Sequence, residues 1–183
     1  DLMAKTIASA GYYVVKFNFS HNGTTLNDPL NFGDLEAFGN NNYSKEMLDL
    51  EFVINHFSSK DSVDSKNVFL MAHSRGNGNI VLQAAKDDRI KAIVGLAGIS
   101  DFASRFPSGD MLDQIKKAGV VYIENTRTNQ QMPHYIQFFE DFIENKDRFN
   151  IRTAAEQLTI PYLIIHGTND ATLNLTEAKN LNA

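Results

Sequence analysis

Three short, nearly uninterrupted apolar runs, Val68 to Ala72, Ile90 to Leu96 and Ile160 to Ile165, constrain the fold of this 183-residue chain more than any other feature. Each has strand length and is flanked by polar or glycine-containing turns, so each reads as a strand buried on both faces. Pro161 stands at the start of its run, where a missing N–H is tolerated. The segments between the runs carry apolar residues at helical spacing. Strands that alternate with helices form a parallel sheet, because a parallel neighbour is reached only through a crossover. The expected fold is therefore α/β, with a mostly parallel sheet and helices on both faces.

The remaining segments fit that frame. Leu2, Met3, Ile7 and Ala10 share one face of a helix that Gly11 ends, and Tyr12 to Phe19 is a β-branched and aromatic run expected to form a strand. Residues 24 to 43 are rich in Asn, Gly and Asp without a sustained period, which predicts a long loop of functional weight. With Ser44 as N-cap, Met47, Leu50, Ile54 and Phe57 give a helix to about His56. A polar turn covers 58 to 67, and Asn79 to Lys86 is helical. Residues 101 to 159 form an excursion before the last strand. It is expected to hold a helix over Met111 to Ala118, a hairpin pairing Val120 to Glu124 with Arg127 to Met132, and a helix from His134 to about Lys146. Tyr135, Phe138, Phe139 and Phe142 make an aromatic stripe there, expected to pack on the sheet as core in preference to facing substrate as a lid. Leu175 to Leu181 begins another helix. Residues 1 to 183 thus read as a single domain, with 101 to 159 as an insertion or lid within it.

Composition narrows the partners. Hydrophobic residues at 43% and charged ones at 21% suit one sizeable core, and the net charge of -5 is spread without a block of like sign. Nucleic acid and membrane are not expected as partners; a small molecule is. The chain has no cysteine, which excludes disulfides and thiolate metal sites. No apolar run approaches the roughly 20 residues that cross a bilayer, and the first 20 residues lack a signal-peptide layout. A soluble, cytoplasmic protein is expected. The five histidines show no H-E-x-x-H spacing, so neither a metal nor another cofactor is expected.

The chemistry concentrates in two segments. Ala72-His73-Ser74-Arg75-Gly76 follows a buried strand and opens a helix. A serine hydroxyl becomes a nucleophile when a base takes its proton and a sharp strand-to-helix turn holds its oxygen clear of the backbone. Small residues two before and two after the serine permit that turn, here Ala72 and Gly76. The N–H of Arg75 then points at a developing oxyanion. The plainer alternative makes Ser74 only a helix N-cap. In the second segment, the strand from Ile160 ends at His166-Gly167, and Asp170 follows at the same edge of the sheet as Ser74. A carboxylate there can orient an imidazole. Asp170 can also cap the next helix or close an Asx turn, and Asp101, after the preceding strand, competes for the acid role; Asp170 is favoured by its context.

Ala72-His73-Ser74-Arg75-Gly76 and Ile160-Pro161-Tyr162-Leu163-Ile164-Ile165-His166-Gly167-Thr168-Asn169-Asp170 together resemble the α/β-hydrolase superfamily, particularly its dienelactone-hydrolase and prolyl-oligopeptidase-like esterases and peptidases. The resemblance covers nearly the whole chain in element order, with Ala72 where Gly is commoner. It implies the order nucleophile, acid, histidine, with Ser74 and Asp170 in the first two roles. The third role has no match, because the last histidine is His166. His21 and His73 are candidates to line the pocket. His56 ends a helix, His134 begins the aromatic helix, and His166 is expected to hydrogen-bond locally. The triad histidine is therefore expected beyond Ala183, and the second oxyanion N–H before Asp1, so the natural protein is expected to extend past both ends. The function implied is cleavage of a carboxylic ester through an acyl-enzyme on Ser74. Amide or peptide cleavage by the same machinery, and ligand binding without catalysis, are the alternatives.

Overall fold

A computed structural model describes residues 2 to 182. Helix α1 (Leu2–Ser9) opens the chain; after a long loop come the short helix α2 (Leu35–Gly39) and the longer α3 (Tyr43–Ser58). Strand β1 (Val68–His73), helix α4 (Gly76–Ala84) and strand β2 (Ile90–Leu96) follow. The excursion holds a 3-10 turn (Ala103–Arg105), α5 (Asp110–Ala118), the strands β3 (Val120–Asn125) and β4 (Gln130–Tyr135), α6 (Ile136–Glu144) and α7 (Ile151–Glu156). Strand β5 (Tyr162–Ile165) and helix α8 (Thr176–Leu181) complete the order.

The main sheet is parallel, in the order β1-β2-β5. Ala72 pairs with Gly95 and His73 with Leu96 on one side of β2, while Leu96 pairs with Ile165 on the other. The carboxyl ends of all three strands therefore lie along one edge. Helix α4 packs on β1 and β2, and α3 and α7 pack against α4. Seven of its nine residues are buried, which places α4 at the centre of the molecule. That proximity needs small residues. A Cβ on Gly78 would lie 2.4 Å from Phe102 Cζ, and one on Gly95 would lie 2.2 Å from Asn77 Oδ1. On the opposite face of the sheet Phe69, Met71, Leu163 and Ile165 are all 44% or more exposed, so β1 and β5 alternate between inward and outward residues and are not buried on both faces as their apolar runs suggested.

Two further expectations need correction. The run Tyr12 to Phe19 forms no strand; among the described residues the parallel sheet has three strands. Its aromatic residues are instead ring partners, Tyr12 edge-on to Phe69 and Tyr13 against Phe57. A β-prone run becomes a strand only where a neighbouring edge accepts its hydrogen bonds. The N-cap of α3 is Asn42, whose Oδ1 accepts from the Lys45 N–H at 2.9 Å, and Ser44 lies inside the helix.

Phe138, Phe139 and Phe142 of the aromatic stripe are core, as favoured, but they pack on helix and loop more than on the sheet, and Tyr135 falls in β4, outside the core. Phe138 and Phe142 meet Tyr43 of α3, and Phe106 stacks on Phe142 with ring centroids 4.0 Å apart. The hairpin β3–β4 docks on the loop of residues 24 to 43. Gln130 Nε2 donates to Phe32 O and the Tyr135 hydroxyl donates to Glu36 Oε2, while Gln137 Nε2 of α6 donates to Asn41 O. The loop expected to carry functional weight and the insertion thus pack against each other. Among the described residues, no helix is long and apolar enough to cross a membrane.

Candidate active site

Ser74 occupies a backbone conformation that L-residues avoid, with φ +54°. Left-handed backbone at a non-glycine residue costs on the order of 1–3 kcal/mol and persists where the surroundings over-determine it. Here they do. The Ser74 N–H donates to Leu96 O of β2 at 2.9 Å, and the Ser74 carbonyl accepts from Asn77 N at 3.1 Å and Ile99 N at 3.4 Å. A Cβ on Gly76 would stand 3.4 Å from Ala72 Cβ, so the two small flanking positions touch across the turn. Ser74 does not cap α4: that position falls to Arg75, without a side-chain cap bond. Its N–H heads α4 at the sheet edge, an end of the helix that favours negative charge.

Asn77 secures the turn from the sheet side. It is fully buried; its Nδ2 donates to Ile99 O at 3.2 Å, and its Oδ1 accepts from the Tyr162 hydroxyl at 2.7 Å. Glu46 secures it from the side of α3. Its side chain is 2% exposed and makes an ion pair with Arg75 Nη2 at 2.6 Å. Oε1 also accepts from Asn41 Nδ2, and Oε2 accepts from Asn79 Nδ2, both at 2.7 Å. The Arg75 guanidinium lies over the Tyr43 ring. Glu46, Asn41, Asn77 and Asn79 were not singled out as site residues from the sequence, and Arg75 only for its backbone N–H. The available signal was a charged residue, Glu46, at helical spacing among Tyr43, Met47 and Leu50 on a buried face.

Asp170 lies five residues after β5, at the edge that carries Ser74. Its Oδ1 accepts from Thr172 N at 2.8 Å and Leu173 N at 2.9 Å, while Oδ2 stands 4.0 Å from His166 Nε2. The Asx turn therefore engages one oxygen and leaves the other facing His166. Those two backbone N–H bonds hold its carboxyl below the usual carboxylate range, and the neighbouring His166 and His73 add to the effect. Asp101, the competing acid, engages both oxygens in the backbone, with Ala103 N at 2.8 Å and Ser104 N at 3.0 Å.

The histidines disperse. His73 is exposed at the end of β1 but reaches Asp170 electrostatically. His21 is held by the Ser20 hydroxyl at 2.7 Å, and His56 packs on Phe52 and Phe57. His166 Nε2 bonds Leu173 O at 2.9 Å, the local bond expected of it. His134 sits between Phe38 and Phe138, where burial, with a contribution from Arg75, pushes its pKa down to about 4. Among the described residues, no hydrogen bond joins a histidine to Ser74 Oγ.

Two solved structures are similar to this arrangement of elements. The esterase domain of a Rhodothermus marinus protein superposes with a TM-score of 0.50 at 16% identity, over 78% of this chain and 54% of that one. A protein from Agrobacterium vitis S4, titled "Putative hydrolase", superposes with a TM-score of 0.60 at 17% identity, over 80% of this chain and 56% of that one. The fold is that of the α/β-hydrolases. The chain spans a little over half the length of these two structures. No protein-family model matches the sequence, and no curated protein matches it.

Proposed function

We propose that the chain carries the nucleophile and acid of a serine hydrolase that cleaves a carboxylic ester through an acyl-enzyme on Ser74. The observation that carries the reading is the left-handed Ser74, pinned between β1 and α4 by Leu96 O and by its own carbonyl bonds. A turn so constrained lifts the hydroxyl away from the backbone at the sheet edge where parallel α/β folds place their ligands. In this reading Ser74 Oγ attacks the ester carbonyl carbon as a base takes its proton. The Arg75 N–H donates to the developing oxyanion, and collapse expels the alcohol with the proton returned to it. Water then hydrolyses the acyl-enzyme. Asp170 orients the base, which by resemblance is a histidine that follows it in chain order. The esterase among the structural neighbours supports an ester substrate, and the dienelactone-hydrolase and prolyl-oligopeptidase-like branch is the subfamily proposed.

The test uses the natural protein that contains these 183 residues. It is expected to release p-nitrophenol from p-nitrophenyl acetate and to be labelled at Ser74 by a fluorophosphonate, with both signals lost in Ser74→Ala. Activity that survives Ser74→Ala refutes the assignment. The alternative reading is ligand binding without catalysis, and absent labelling of the natural protein together with retained ester binding would select it.

A further inference from the structure

We infer that Glu46 is a positioning residue for the Ser74 turn, acting through Arg75. The inference rests on the reading of Ser74 as nucleophile. One buried carboxylate gathers Arg75 and Asn79, residues four apart and so on one face of α4. Asn41, just before α3, donates to the same carboxylate. The first turns of α4 are thereby tied to α3 from one side, while Asn77 ties them to β5 through Tyr162 and to the β2 exit through Ile99. Ser74 lies between the two anchors.

The geometry makes the α3 anchor matter for chemistry as well as for fold. Ser74 at φ +54° is followed by Arg75 at φ -56° and ψ -37°, so the chain reverses its handedness across one peptide, and the N–H of that peptide is the candidate oxyanion donor. Without Glu46, the Arg75 side chain, 39% exposed, is released to solvent, and the peptide is held only from the Asn77 side. Displacement of a donor by about 1 Å can cost on the order of 100-fold in rate. Such a loss falls on kcat, because the oxyanion forms only after the substrate is bound.

Three variants separate this role from general support of the core. Glu46→Gln keeps the side-chain volume and removes the charge; Asn79 Oδ1, buried without a partner, can turn to accept the new amide N–H. Glu46→Leu removes every acceptor. Arg75→Ala cuts the same link at its solvent-facing end and keeps the question open where Glu46→Leu does not fold. Amide hydrogen exchange, and kcat and KM for p-nitrophenyl acetate, are measured on the natural protein that contains these residues. We expect exchange at residues 75 to 78 to rise about 10-fold in Arg75→Ala and Glu46→Leu, with β2 amides unchanged. We expect kcat to fall about 10- to 100-fold with KM within about 3-fold. Glu46→Gln should recover most of both, and Glu46→Gln combined with Arg75→Ala should be no worse than Arg75→Ala alone. Unchanged exchange at 75 to 78 overturns the inference, as does a rise spread equally over β2. Should the wild-type protein neither label nor turn over, the nucleophile assignment fails, while the exchange measurement still decides whether Glu46 holds the turn.

Discussion

Gly95→Ala tests the packing beneath the serine turn. Gly95 is central in β2, opposite Ala72 of β1 and Ile164 of β5. The added Cβ would stand 2.2 Å from Asn77 Oδ1 and 2.9 Å from the Tyr162 hydroxyl, separations that no Cβ tolerates. Asn77 must move, and its 2.7 Å bond from Tyr162 must break. Leaving a fully buried amide oxygen without its donor costs about 1–3 kcal/mol, and forcing a methyl into a filled site costs about 1–3 kcal/mol. The lower conformational entropy of alanine in the unfolded chain returns roughly 0.5–1 kcal/mol. The net expectation is a loss of about 2–4 kcal/mol, or a Tm lower by about 5–15 °C in a chain of this size. Thermal and urea unfolding of the 183-residue chain measure it. Tyr162→Phe alone should cost about 1–3 kcal/mol, and in the Gly95→Ala background almost nothing, since the bond it removes is already gone. A Gly95→Ala loss under about 1 kcal/mol, or full additivity of the two changes, would refute this account of the turn's support.

Three further outcomes are expected. Ser74→Gly should raise stability by about 1 kcal/mol by relieving the left-handed strain, seen as a higher unfolding midpoint, while it abolishes fluorophosphonate labelling. His134 titrates near 4 in the folded chain and near 6.5 when unfolded, so the unfolded state binds the proton first as pH falls. Stability should drop between about pH 6.5 and 4 by an amount on the order of 3 kcal/mol, and His134→Leu should flatten that slope in pH-dependent unfolding. Burial raises the Glu177 pKa, but hydrogen bonds from Ser100 and Arg105 outweigh it and leave it below the ordinary value. Its contribution is therefore present above the unfolded value and lost as pH falls through the lower folded one, and Glu177→Gln should remove that acid-limb loss.

Much of the architecture was legible because period and length alone separate a buried strand from a helix. Val68 to Ala72, Ile90 to Leu96 and Ile160 to Ile165 became β1, β2 and β5 within one or two residues, and the hairpin and the aromatic helix fell near their expected places. The run Tyr12 to Phe19 failed because a strand is a property of two chains: intrinsic preference alone does not make one, and this run does not join the ladder of β1 or β5, each of which pairs only with β2 among the described residues. The short helices α2 and α7 escaped because neither is long enough to show a period.

The serine turn divides in the same way. Its location was determined by the local sequence, since two small residues flanking Ser74 between an apolar run and a helix leave few other conformations. Its strain was not, because φ +54° survives only through bonds to Leu96, Asn77 and Ile99. The role of Glu46 also had to come from the tertiary structure. A glutamate on the apolar face of a helix is uninterpretable until its partners are known, and Arg75 and Asn79 lie 29 and 33 residues away in sequence. Burying that carboxylate is tolerable only because all three donors converge on it, and convergence of distant residues is what a fold supplies and a local pattern does not.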